Sequence, residues 1–191
     1  MTVPRNGNLK SIENAFDESE ASARRLMEGV SHTQANWQPC DGRSWSIYQC
    51  LEHLARGNTI YAASVRAAIA SCPQRYREPT TDIAPGLLAS WFIRSLEPPP
   101  RRKSRAPSKI VPTGRGSASE ILDAFVKSHQ AMRAILADGR SIDLNRLRFK
   151  NPFIGILHFT VGAGLMAINA HDRRHLWQAG QVKASPGYPT S

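Results

Sequence analysis

The chain has 191 residues, 41% of them hydrophobic, and a formal net charge of +10. That is enough chain for one domain with a sizeable core, and its composition excludes a disordered tail or a membrane protein. Three cysteines, Cys40, Cys50 and Cys72, form neither an even disulfide framework nor a paired zinc knuckle.

The N-terminus, Met1-Thr-Val-Pro-Arg, shows no apolar secretory segment, and with the cysteine count it sets a cytoplasmic location as the expectation. The first helical periodicity runs from about Leu9 to Val30, with Leu9, Ile12, Phe16, Ala23, Leu26 and Val30 on one face. His32 follows in a loop and reads as an exposed polar residue. A turn-rich stretch from Trp37 to Trp45 then leads to Ser46, which with Gln49 makes a capping-box pattern. From there Ile47, Leu51, Leu54, Tyr61, Val65 and Ile69 recur at helical spacing until Cys72-Pro73. His53 lies beside this stripe. Cys50, on the stripe itself, reads as a small core residue.

The middle of the chain is irregular. Leu87 to Leu96 forms a short helix or half-turn, and Pro98-Pro99-Pro100 then forbids a regular element. The Pro-rich loop of about 97–117 carries Arg101, Arg102, Lys103, Arg105, Lys109 and Arg115 against Glu97 alone, a net +5 and half of the excess charge. No aromatic residue is interleaved to stack on bases, so a solvated loop is favoured over a nucleic-acid surface. A third helix is expected from a cap at Ser117 or Ser119 to Gly139, with His129 in its apolar stripe as a core histidine. The fourth is expected after Asn151-Pro152, through Leu157, Val161, Gly164, Ile168, His171 and His175 to about Gly180. The weakly polar run 153–170 contains His158, Thr160 and Asn169 and reads as a core helix instead of a membrane span. No β-alternation and no internal repeat is visible. Four amphipathic helices with one long crossover, between helices two and three, predict an all-α four-helix bundle, taken as one domain over 1–191.

His171-Asp-Arg-Arg-His175 carries the chemistry. Residues i and i+4 lie one turn apart on one helix face, so both imidazoles can address one ion. Gly164, two turns earlier, leaves space beside them. Three protein ligands with an open position describe a catalytic metal site, so a third ligand is needed from a facing helix. His53 is the candidate on helix two, although a lone histidine there is more often structural. His158 lies about 140° round from His171 and cannot share its ion. Asp172 falls in the apolar face, either as a carboxylate orienting an imidazole or as an ion-pair partner. Glu52 and Gln178 are placed to hydrogen-bond a water at the site.

Trp37-Gln-Pro39, Trp45-Ser46-Ile47, Glu52-His53-Leu54 and His171-x-x-Arg174-His175-x-x-Gln178, in this order and spacing, resemble the DinB/YfiT-like family from about residue 10 to 182. Asn151-Pro152-Phe153-Ile154-Gly155 is similar to the family's approach to helix four. The resemblance implies a four-helix bundle holding a divalent metal by His53, His171 and His175. Imidazoles suit zinc and nickel alike, and either ion activates a water or a thiol for attack. The resemblance further implies transfer of a low-molecular-weight thiol, as co-substrate, to a small electrophile, and a homodimer. The other readings are a metal-dependent hydrolase and a non-catalytic metal-binding stress-response module, with nucleic-acid binding ranked last. The arginine-rich crossover and His158 depart from the commoner family pattern and leave the substrate open.

Overall fold

A computed structural model describes residues 7–40, 42–100 and 105–190. Arg101, Arg102 and Lys103 of the basic tract lie outside the described residues. Among the described residues there are six α-helices: α1 (Leu9–Met27), α2 (His32–Asn36), α3 (Ile47–Ala70), α4 (Leu87–Leu96), α5 (Ala118–Gly139) and α6 (Val161–Lys183). Between α5 and α6, strands β1 (Arg148–Lys150) and β2 (His158–Thr160) pair antiparallel with Phe149 opposite Phe159. The fold is therefore all-α apart from one small hairpin. Helices α1 and α3 each pack against both α5 and α6, which makes a four-helix bundle, and α4 lies against α6. No described helix is long and apolar enough to cross a membrane.

The helix starts follow capping chemistry. Asn8, Ser31, Ser46 and Ser117 each accept from the backbone N–H three residues on and are answered by the side chain at that position. Each thereby satisfies an orphan amide of the first turn. Ser117, and not Ser119, is the cap of α5. His32 is exposed, as expected, but opens the short helix α2.

Helix α6 begins at Val161, nine residues beyond Pro152. Asn151 accepts instead from the N–H groups of Phe153 and Ile154, both at 2.9 Å, and so turns the chain between the two strands. An asparagine side chain makes that local bond as readily in a turn as at a helix start. The true cap is Thr160, whose Oγ1 accepts from Ala163. Leu157 and His158 consequently lie outside the helix, and His158 is an exposed strand residue opposite Lys150.

Positions 161–170 of α6 are all buried. With α1, α3, α4 and the hairpin around it, this half of the helix has no solvent face, which is why its sequence is apolar all round. Gly164 belongs to this enclosed half. A Cβ there would stand 2.6 Å from Phe149 Cε1 and 3.0 Å from the Tyr61 hydroxyl, so its missing side chain admits those rings and leaves no space for the histidines. The described part of the crossover packs against α3. Ser108–Ile110 forms a 3₁₀ turn, and Ile110 is buried.

Candidate metal centre

Burial of the α3 stripe, with Ile47, Leu51 and Leu54 fully enclosed, fixes the rotation of that helix and turns His53 inward. Packing of α6 against α3 does the same for His171 and His175. The ligating nitrogens of these three side chains lie within 4.8 Å of one another, and among the described residues no carboxylate or thiol joins them. His53 and His175 are buried and His171 is half-buried. The close approach of α6 to α3 falls at Gly57, where a Cβ would meet His171 Cε1 at 3.8 Å.

The hydrogen bonds assign the tautomers. His53 Nδ1 lies 2.7 Å from the Ile110 carbonyl, which only an N–H can satisfy. His175 Nδ1 lies 2.9 Å from Gln178 Oε1 on the same terms. Nε2 of both rings therefore carries the lone pair. His53 Nε2 faces His171 Nε2 at 3.1 Å, close to the roughly 3.3 Å separating two nitrogens that share a tetrahedral ion at about 2.0–2.1 Å. The donor set fits a small divalent cation. Trp45 walls one side, with its ring centroid 4.8 Å from that of His53 and stacked at 5.7 Å on His175.

The electrostatics hold all three imidazoles neutral. Burial lowers the His53 pKa, against the pull of the Ile110 carbonyl. His171 is lowered to about 3 by burial first, then by His53 and Arg174. His175 falls well below the usual histidine value through burial, its two neighbours and Arg174. A neutral ring needs to lose no proton to bind an ion. In metal-free protein the unfolded chain takes up protons below pH 6.5 that the folded chain refuses. Stability is thus complete above about pH 6.5 and falls as the pH drops from there toward 3, by at most about 1.4 kcal/mol per unit per histidine. Urea denaturation of the chelator-treated protein between pH 7 and pH 4 measures this slope, and a flat profile would contradict it.

Glu52 and Gln178 both bond protein groups. Gln178 orients His175. Glu52 Oε2 accepts from the N–H groups of Thr113 and Gly114, at 3.1 and 2.8 Å, while Oε1 pairs with Arg56 at 3.0 Å. Arg56 also donates to the Val111 carbonyl. Together they strap residues 110–114 onto α3 and deliver the Ile110 carbonyl to His53. A Cβ at Gly114 would stand 3.0 Å from Glu52 Oε1, so any side chain there would press on the carboxylate. Glu52→Ala should weaken metal affinity about 10–100-fold, the usual loss when a ligand's supporting bond goes. Glu52→Gln, whose carbonyl still accepts from the two amides, should lose less in the same chelator competition.

Asp172 turns away from the histidine cluster. It is fully buried and accepts from His129 Nε2 at 3.0 Å and from Asn58 Nδ2 at 3.2 Å. The imidazole it orients is that of His129 and not of a cluster histidine, because adjacent helix residues point about 100° apart. His129 is a core histidine, as expected, packed between Phe16 and Phe125 with Nδ1 3.4 Å from Glu20 Oε1. Cys50 is fully enclosed in core, and burial pushes its thiol pKa far up, so it supplies no thiolate.

An α-helical bundle with three convergent imidazoles on facing helices defines a protein with a candidate divalent-metal site. The DinB superfamily model matches residues 15–179, a span that includes all three histidines, and the chain belongs to that superfamily. No curated relative matches the sequence. The Ile110 carbonyl, the Glu52–Arg56 strap and the Trp45 wall were not foreseen as parts of the site. A glutamate one turn before an arginine, beside a candidate ligand, was the available signal for the strap.

Proposed function

We propose that His53, His171 and His175 hold a divalent metal, zinc or nickel, and that the protein is a cytoplasmic enzyme transferring a low-molecular-weight thiol to an electrophile. The facing Nε2 atoms of His53 and His171, with the His53 Nδ1 proton committed to Ile110, carry this reading. Two lone pairs at 3.1 Å repel unless a cation lies between them or His171 shifts its proton. When bound, the ion supplies Lewis acidity that lowers the pKa of a thiol or water. The chain's own contribution is to orient the rings, through Ile110 and Gln178, and to limit water with Trp45.

Thiol transfer is favoured over hydrolysis by the state of Glu52. A hydrolase of this type uses a positioned base beside the ion. Glu52 and Asp172 are the carboxylates adjacent in sequence to a ligand; the Glu52 oxygens are occupied by Arg56 and two backbone amides, and Asp172 by His129 and Asn58. A thiol, once ionised, is its own nucleophile and needs no such base. The test is turnover of a reactive electrophile by zinc- or nickel-loaded protein with and without added thiol. Strict thiol dependence supports transfer, and thiol-independent turnover supports the hydrolase. Zinc removal that unfolds the bundle without any turnover would support a structural metal. The homodimer and the extent of the domain over 1–191 remain part of this proposal, with sedimentation of the purified protein as the check.

A further inference from the structure

We infer that α4 and the β1–β2 hairpin together form a docking surface for an anionic phospholipid membrane, on which the protein lies without spanning it. Five of the seven exposed large apolar side chains among the described residues fall on these two elements. They are Leu87, Leu88 and Trp91 of α4, with Ile154 and Ile156 in the loop between the strands. Leu87 is 93% exposed and Ile156 87%, so they protrude into solvent and do not line a groove. Ile93 already gives α4 its buried contact, so the fold does not need Leu87, Leu88 and Trp91 to be apolar. The two elements are neighbours, because Phe92 of α4 packs on Phe159 of β2 with ring centroids 5.1 Å apart. Single exposed apolar residues are ordinary, but a group on adjoining elements marks a contact surface. This inference is independent of the metal reading.

Charge decides what covers this surface. Residues 84–96 and 148–160 contain Arg94, Arg148 and Lys150 and no aspartate or glutamate, a net +3 with histidine neutral. Arg94 stands three residues after Trp91 and seven after Leu87, on the same exposed face of α4. In the hairpin, alternation turns Phe149 and Phe159 inward and leaves Arg148, Lys150 and His158 outward. A Cβ at Gly155 would lie 3.4 Å from Lys150 Cε, so the lysine stem reaches the tip beside Ile154 and Ile156. A two-fold contact with a second copy would set these cations against themselves. An anionic bilayer offers both complements, lipid phosphates for the cations and acyl chains for the protruding apolar groups. Trp91 has a ring favoured at headgroup level, and Lys150 a long stem that keeps its charge there while the tip enters.

The test is cosedimentation of the full chain with vesicles of phosphatidylcholine alone, and of phosphatidylcholine and phosphatidylglycerol in equal parts. Binding is expected to the mixed vesicles and little to the neutral ones, with most of it lost as salt rises from about 0.05 to about 0.5 M. Trp91→Ser and Ile156→Ser should each weaken partitioning about tenfold, the effect of keeping one large apolar side chain in water. Lys150→Glu should weaken it at least about fivefold. Circular dichroism checks that helicity is unchanged, and Ile156→Ser, outside every helix, keeps the test decisive if Trp91→Ser loses structure. No binding to the mixed vesicles overturns the inference. Equal binding by all four proteins also overturns it, since the attraction then belongs to the overall charge of +10 and not to this surface. A concentration-dependent dimer that Trp91→Ser dissociates, with no vesicle binding, assigns the surface to a second copy and overturns it too.

Discussion

Purified His53→Ala and His171→Ala proteins are expected to carry less than about a tenth of the divalent metal found in wild type, at unchanged helical content. His53 and His171 come from different helices, and their Nε2 atoms face each other at 3.1 Å. Removing either leaves a two-histidine site, which lacks the third protein ligand usual for an open metal centre. The loss belongs to the metal and not to the fold, because Ile47, Leu51, Leu54 and Leu165 of the same two helices are fully buried without touching that function. Elemental analysis after gel filtration gives the answer directly. Full metal content in either variant would remove that residue from the ligand set. His175→Ala should behave alike, and also frees Gln178 from its bond to the ring.

Asp172→Ala should destabilise the protein by about 3 kcal/mol or more, with little direct effect on metal content. Asp172 and His129 are both fully buried, and Asn58 donates to the same carboxylate. Deleting one partner of a buried, charge-assisted group leaves the others desolvated and unpaired, which costs several kcal/mol. Asp172→Asn, which retains one acceptor oxygen, should cost less. Urea denaturation of metal-free wild type and both variants compares them without the ion's own contribution. A change below about 0.5 kcal/mol in Asp172→Ala would contradict this and leave Glu20, whose Oε1 lies 3.4 Å from His129 Nδ1, as the carboxylate that supports the ring.

Much of this architecture is readable one element at a time. The capping pattern at Ser46 and the stripe from Ile47 to Ile69 locate α3 within a few residues, because a cap and a 3.6-residue period are local properties. The same logic fails at Asn151, where the side chain that imitates a helix cap serves a turn between strands. It fails again at Gly164, since the role of an absent side chain depends on which rings arrive from elsewhere in the chain. Residue spacing places His171 and His175 on one face, but the angle between adjacent positions alone does not say what Asp172 meets.

The sequence by itself determined the helical class and the His171–His175 pair, because both depend on residue type and spacing along one helix, and the family resemblance, which is carried by the order of short motifs and which added His53. Only the tertiary structure decided the surroundings of those histidines. The Ile110 carbonyl on His53, the Glu52 grip on residues 113 and 114, and the removal of Asp172 to His129 join residues 43 to 62 positions apart. Such contacts are set by how the helices rotate when their apolar faces are buried together, and no local periodicity encodes that rotation.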